Sequence, residues 1–232
     1  MILVRGRPRQ PGLPCDVDLV GASTMTKTFM TVLLITAMAV ISRSAPSAQE
    51  RPVADGPRYT STNELVRPVD YREWVYVTTG LGMTYGPERA TAQAPIFDNV
   101  FVNRESYRQF MATGKWPEKT IFILELRRAE TQVSINNGGH TQGEVVAVEA
   151  AVKDRTRFPE TTWGYFDFGR ATAMSSSAAP LPTTARCYSC HRDNTAVEQT
   201  FVQFYPTLFE VAKRMGTVKS TYDPNHKVTS PH

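Results

Sequence analysis

The sequence predicts an α+β fold, a mostly antiparallel β-sheet with a few helices. Three observations predict it. The middle of the chain holds three strand-like runs, Thr120 to Arg127, Glu144 to Lys153 and Trp163 to Phe168, separated by Asn136-Asn137-Gly138-Gly139 and by Phe158-Pro159, the pattern of an antiparallel meander. Before them, Tyr107, Phe110 and Met111 recur at helical spacing and stop at Gly114. After them, an apolar stripe from Phe201 to Met215 recurs at three and four and stops at Gly216, a helix ended by glycine.

The elements follow in order. Residues 1–24, rich in Arg, Pro and Gly, precede a natural start at Met25 and read as an upstream extension of non-native origin, which leaves Cys15 without a role. Residues 25–48 run from Lys27 through the apolar Met30–Ile41 to Ser-Ala-Pro-Ser-Ala, the order of a cleavable export signal. A membrane-spanning helix needs about 20 apolar residues, so cleavage is expected rather than anchoring. Residues 49–68 read as a flexible leader and residues 69–216 as the folded domain. Asp70 and Glu73 have capping-box spacing, which predicts a helix start, and Ile96–Val102 reads as a strand. Residues 217–232 read as a disordered tail.

Charge excludes one class of function. The net charge is +4, but five of the 26 basic residues and two of the 22 acidic ones precede residue 49, leaving 21 against 20. Near-neutral balance without an Arg/Lys stripe argues against nucleic acid as a partner.

The chemistry is concentrated in Cys187-Tyr188-Ser189-Cys190-His191. This spacing is the signature of c-type haem attachment, in which two thiols add to the haem vinyl groups and the next histidine binds iron. Two residues between the thiols, on one helical turn, bring both sulfurs to the porphyrin edge and swing His191 beneath the metal. A zinc site would need a second Cys/His pair, and a thioredoxin-type pair would follow a strand early in a βαβ unit, whereas this pair comes late, after a Ser/Ala/Pro loop over 174–184. One haem c on Cys187 and Cys190, with His191 as the metal ligand, is therefore expected, in an exported, periplasmic protein. The sixth iron position stays open between a strong ligand, which would make an electron carrier, and a vacant face. Met215 is the only Met after His191 and sits on an apolar stripe, while Met83, Met111 and Met174 are other possible ligands. His140, His226 and His232 fall in a turn and in the tail, as surface histidines do.

The segments Tyr71-Arg-Glu-Trp-Val75, Thr78-Thr-Gly-Leu-Gly-Met83, Phe97-Asp-Asn-Val-Phe-Val-Asn103 and Thr113-Gly-Lys-Trp-Pro117, with Cys187–His191 and Phe201-Val-Gln-Phe-Tyr-Pro206, resemble the cytochrome P-460 family, which includes the cytochromes c-prime-beta. The resemblance implies a mostly antiparallel β fold, attachment near the C-terminus, five-coordinate haem and a homodimer. It also implies nitrogen chemistry: hydroxylamine oxidation in members with a lysine–haem cross-link, nitric oxide or carbon monoxide binding in members without it, and electron exchange with a periplasmic electron-transfer protein. The run Thr120–Arg128 contains no Lys, a departure from the cross-linked members. Lys115, Lys119 and Lys153 lie near it and read as solvated charges. Within that resemblance Glu125 is the candidate proton acceptor for hydroxylamine, with Glu144 and Glu149 as weaker candidates, although a solvated strand face suits Glu125 somewhat better. Phe122 is the candidate apolar cover of the iron, with Phe158 and Phe166 as alternatives. The other reading is a non-catalytic electron carrier with a Met sixth ligand.

Overall fold

The computed structural model describes residues 55–83 and 95–226, which belong to one unit spanning Glu50–His232. The upstream extension and the export signal lie outside the described residues. Among the described residues, no helix is long and apolar enough to cross a membrane.

In chain order the elements are β1 (Leu65–Val66), β2 (Val75–Leu81), β3 (Ile96–Val102), α1 (Arg104–Thr113), β4 (Ile121–Glu130), β5 (Thr141–Lys153), β6 (Trp163–Arg170), β7 (Ser177–Ala178), α2 (Arg186–Asn194) and α3 (Pro206–Met215). Strands β2 to β6 form one antiparallel sheet in sequence order, and β1 pairs with β7 as a separate two-stranded clip. The α+β expectation holds.

Alternation along the strands divides the core into two. Val100, Val102, Phe122, Trp163 and Tyr165 face a cluster completed by Phe110, Tyr188, Val197, Leu208 and Val211 of the helical segments. Phe101, Ile121, Ile123, Val148, Val152, Phe166 and Phe168 face the other way, onto Leu65, Tyr71 and Trp74. Successive side chains of a strand point to opposite faces, so the helices carrying residues 104–113, 186–194 and 206–215 all cover one face. We call it the helix face.

Four expectations are corrected. Asp70 starts only a 3-10 turn, Tyr71–Glu73, and makes no side-chain cap; the chain then enters β2. The leader is ordered from Asp55 onward, and Leu65 is fully buried between the clip and the sheet. The Phe201–Met215 stripe is two pieces, a 3-10 turn at Val202–Phe204 and α3, because Pro206 lacks an N–H and takes the first helical turn. The tail is placed through His226: the Lys219 N–H donates to the Ala196 carbonyl at 2.8 Å, and Tyr222 stacks edge-on against Phe209.

Gly114 closes α1 at φ +69°, where a Cβ would sit 2.8 Å from the Met215 Cβ and from the Thr217 hydroxyl. Glycine is needed there both for the left-handed turn and for the approach of α3.

Candidate functional site

Helix α2 presents the Cys-x-x-Cys-His sequence from a scaffold tied at both ends. The loop before it is pinned to β6 by the Leu181 N–H on the Tyr165 carbonyl (2.8 Å), and the Tyr188 hydroxyl donates back to the Leu181 carbonyl at 3.2 Å. At the far end, Lys219 Nζ donates to the Arg192 carbonyl (3.0 Å) and to Thr195 Oγ1 (3.1 Å), placing a cation where the helix dipole is negative. Cys187 and Cys190 are unbridged and half-buried, one helical turn apart.

His191 packs between two rings, Tyr165 at 4.6 Å and Phe201 at 4.7 Å between centroids. Its Nδ1 lies 2.8 Å from the Gln199 carbonyl. A carbonyl only accepts, so Nδ1 carries the proton and Nε2 keeps its lone pair. Burial pulls the imidazole down to about 4 despite that bond, so at neutral pH the ring is neutral, the form that binds a metal.

The carbonyl is offered by an unusual turn. Val197 and Thr200 bond to each other through both N–H groups, with Glu198 (φ +44°) and Gln199 (φ +66°) between them. Two consecutive left-handed residues make the mirror-image turn that normally uses Asn-Gly, and for residues with a Cβ each costs on the order of 1–2 kcal/mol. Surroundings offset this. Glu198 accepts from the Trp116 N–H (3.1 Å) and from Lys153 Nζ (2.9 Å), Trp116 Nε1 donates to Thr200 Oγ1 (3.0 Å), and Gln199 Nε2 donates to the Thr161 carbonyl (2.9 Å).

Lys153 is thus buried, not the solvated charge expected, and its ammonium also donates to the Trp116 carbonyl at 2.7 Å. Lys119 pairs with the buried Asp154.

The carboxylates sort by face. Glu125 lies three residues from Phe122 on an unbroken stretch of β4 and so points to the face opposite the helices. There it is buried rather than solvated, accepting from the Tyr71 hydroxyl (2.5 Å), Arg72 Nε (2.8 Å), Arg127 Nε (2.5 Å) and Asn99 Nδ2 (3.3 Å). Burial alone would raise its pKa; the bonds from Arg127, Tyr71 and Arg72 outweigh it and hold the carboxyl below the usual range. Glu144 is exposed and pairs with Arg128 at 2.8 Å.

Glu149 is different. It alternates with Ala151 and Lys153 and lies beside Asp167, across from Asp98 on β3, all on the helix face. Burial, and next the Asp167 charge, push Glu149 up. Burial and the Glu149 charge raise Asp98 to about 6. Burial, then Glu149, also raise the Cys187 thiol, so this carboxylate lies within electrostatic reach of the motif.

Phe122 shares the helix face but is enclosed by Trp116 (4.8 Å), Trp163 (6.2 Å) and Tyr205 (6.3 Å), while Phe158 and Phe166 belong to the opposite core. Met174 packs there too; Met215 is half-exposed against Gly114. Met111 packs within the helix-face cluster, and the Met83 sulfur folds over Gly80 beside Asp98.

These residues fit a haem. Two unbridged thiols lie on one turn beside a neutral histidine whose Nε2 keeps its lone pair, and the Tyr165 ring packs on His191 within electrostatic reach of both thiols, its buried hydroxyl without a hydrogen-bond partner. Among the described residues, no cluster of three or more His, Cys, Asp or Glu side chains could hold a bare metal ion. Fold and site together describe a haem-binding cytochrome of c type. The model of the family described as Cytochrome P460 matches residues 68–202, more than half of the chain, and the chain belongs to that family. No curated protein matches it.

Proposed function

We propose that the chain is an exported, periplasmic mono-haem cytochrome that carries haem c on Cys187 and Cys190, uses His191 Nε2 as its iron ligand, and binds or oxidises small nitrogen species such as nitric oxide or hydroxylamine. The observation that carries this reading is the His191–Gln199 bond: it orients a neutral imidazole, with its ligating nitrogen free, beside the two thiols. When bound, the haem would supply the iron that takes a diatomic ligand or accepts electrons.

The chain's own residues account for the protons. Hydroxylamine becomes nitric oxide by losing three electrons and three protons; the electrons pass to an external periplasmic acceptor protein, and the protons need bases. On the helix face those bases are Asp98, held near pH 6, and Glu149, beside Cys187. They replace Glu125 in this role, because Glu125 faces away and is saturated by donors. The absence of Lys from the helix-face positions of β4 (Phe122, Leu124, Leu126), and the engagement of Lys153 by Glu198, favour a haem without a lysine cross-link. A homodimer remains part of the proposal.

Adding nitric oxide to the reduced protein, and hydroxylamine with an acceptor to the oxidised protein, tests the reading. A ligand-induced shift of the haem spectrum supports it; a six-coordinate haem indifferent to both overturns it. The position of Met83 on the helix face supports one second reading, an electron carrier with that Met as sixth ligand, for which Met83→Ala would convert a low-spin spectrum to a high-spin one.

A further inference from the structure

We infer that Glu198 is a positioning residue for the iron ligand: locked between the Trp116 N–H and the Lys153 ammonium, it holds the Val197–Thr200 turn so that the Gln199 carbonyl stays on His191 Nδ1. This rests on the haem reading above and deepens it.

The local sequence does not make this turn by itself. Neither Glu198 nor Gln199 favours a positive φ, and no Gly or Asn is present. A conformation of this kind persists only where the surroundings over-determine it, and such strain gathers at functional sites. The restraint comes from distant parts of the chain, the loop after α1 through Trp116 and the end of β5 through Lys153. Lys153 is 5% exposed and Glu198 30% exposed, so the carboxylate anchors the turn at the rim of the fold while its partner sits inside. The rim is open: a cavity of about 390 Å³ lined by Lys153, Glu198, Gln199, Arg155, Arg192 and Lys219 reaches the turn from solvent. Water there competes for a slack carbonyl, and Glu198 keeps the carbonyl directed at the imidazole.

The consequence lies on the iron. A firm bond from Nδ1–H to a carbonyl raises the donor strength of Nε2, and slackening it weakens the metal–histidine bond. A residue serving the fold alone would change stability and leave iron untouched.

The test uses the full haem-loaded protein and two readouts on iron, the iron–histidine stretch by resonance Raman and the midpoint potential. Glu198→Ala and Lys153→Met should lower the stretching frequency and shift the potential positive. Glu198→Gln, which still accepts from Trp116 and Lys153, should keep both near the parent. Glu118→Gln, which removes a carboxylate paired with Arg155, should change neither. Lys153→Met removes the ammonium that restrains Glu198 and leaves the turn's own residues unchanged, so it decides the matter where the Ala variant does not fold. Parent-like frequency and potential in the Lys153→Met variant, with only its melting temperature reduced, would overturn the inference alone. A parent protein without bound haem would overturn the functional reading and the inference with it.

Discussion

Replacing Glu125 by Ala should destabilise the protein while leaving its iron chemistry intact. The carboxylate is 2% exposed and accepts from Tyr71, Arg72, Arg127 and Asn99. Removing one partner from a buried ion pair typically costs about 3–5 kcal/mol, because the other charge is left unpaired. Here Arg72 is 51% exposed and can turn to water, whereas Arg127 is only 23% exposed, which places the loss near the lower end, at about 3 kcal/mol. For a domain of this size about 2–4 °C accompany each kcal/mol, so the melting temperature should fall by roughly 10 °C. The effect depends on pH in a defined direction. The folded-state pKa is held below the ordinary 4.5, so the stabilisation is present above that value and is lost as pH falls through the folded pKa. Urea unfolding of the parent and the variant at pH 7 and pH 3, with nitric oxide titrations alongside, measures both parts. A loss under 1 kcal/mol at pH 7 combined with impaired ligand binding would refute the assignment of Glu125 to the opposite face.

Three further outcomes follow from other parts of the fold. Asp98→Asn should stabilise the protein above pH 6 and have no effect below pH 4: a carboxyl raised from 3.8 to about 6 keeps its proton in the folded state, so stability falls as pH rises through that window. The full displacement corresponds to roughly 3 kcal/mol, reduced to about 1 kcal/mol for a partly exposed group, and melting curves across pH read it. Leu65→Ala should cost about 2–5 kcal/mol in urea unfolding, as expected for a fully buried leucine, whereas a mere leader would show no change. Gly114→Ala combines φ +69° with a 2.8 Å clash against Met215 and Thr217; a loss of more than 1 kcal/mol is expected.

The sheet's centre was legible because β3, β4, β5 and β6 carry apolar or β-branched runs between turn residues, and α1 and α3 end at Gly114 and Gly216, where the left-handed cap demands glycine. Strand β2 was hidden by Gly80, which reads as a breaker; in the fold its missing side chain makes room for the Met83 sulfur. The thiols and His191 were legible from spacing alone. What surrounds them was not. Whether Glu125 or Glu149 shares a face with Phe122 depends on parity within a strand and on the helices' choice of side, which no local pattern encodes. The Glu198–Gln199 turn lacks the Asn-Gly that announces such turns, and its partners Trp116 and Lys153 are remote in sequence. Lys153 read as a strand-end charge because its ion partner lies 45 residues away.

The proposed function stands or falls with covalent haem on Cys187 and Cys190. Intact-mass measurement of the denatured protein, purified from cells that attach haem c to exported proteins, detects that linkage. The expected result is one species heavier than the bare polypeptide by a single haem, reduced to a weakly loaded one when both Cys187 and Cys190 are replaced by Ala. A parent protein at the mass of the bare chain, its haem lost on denaturation, would contradict it.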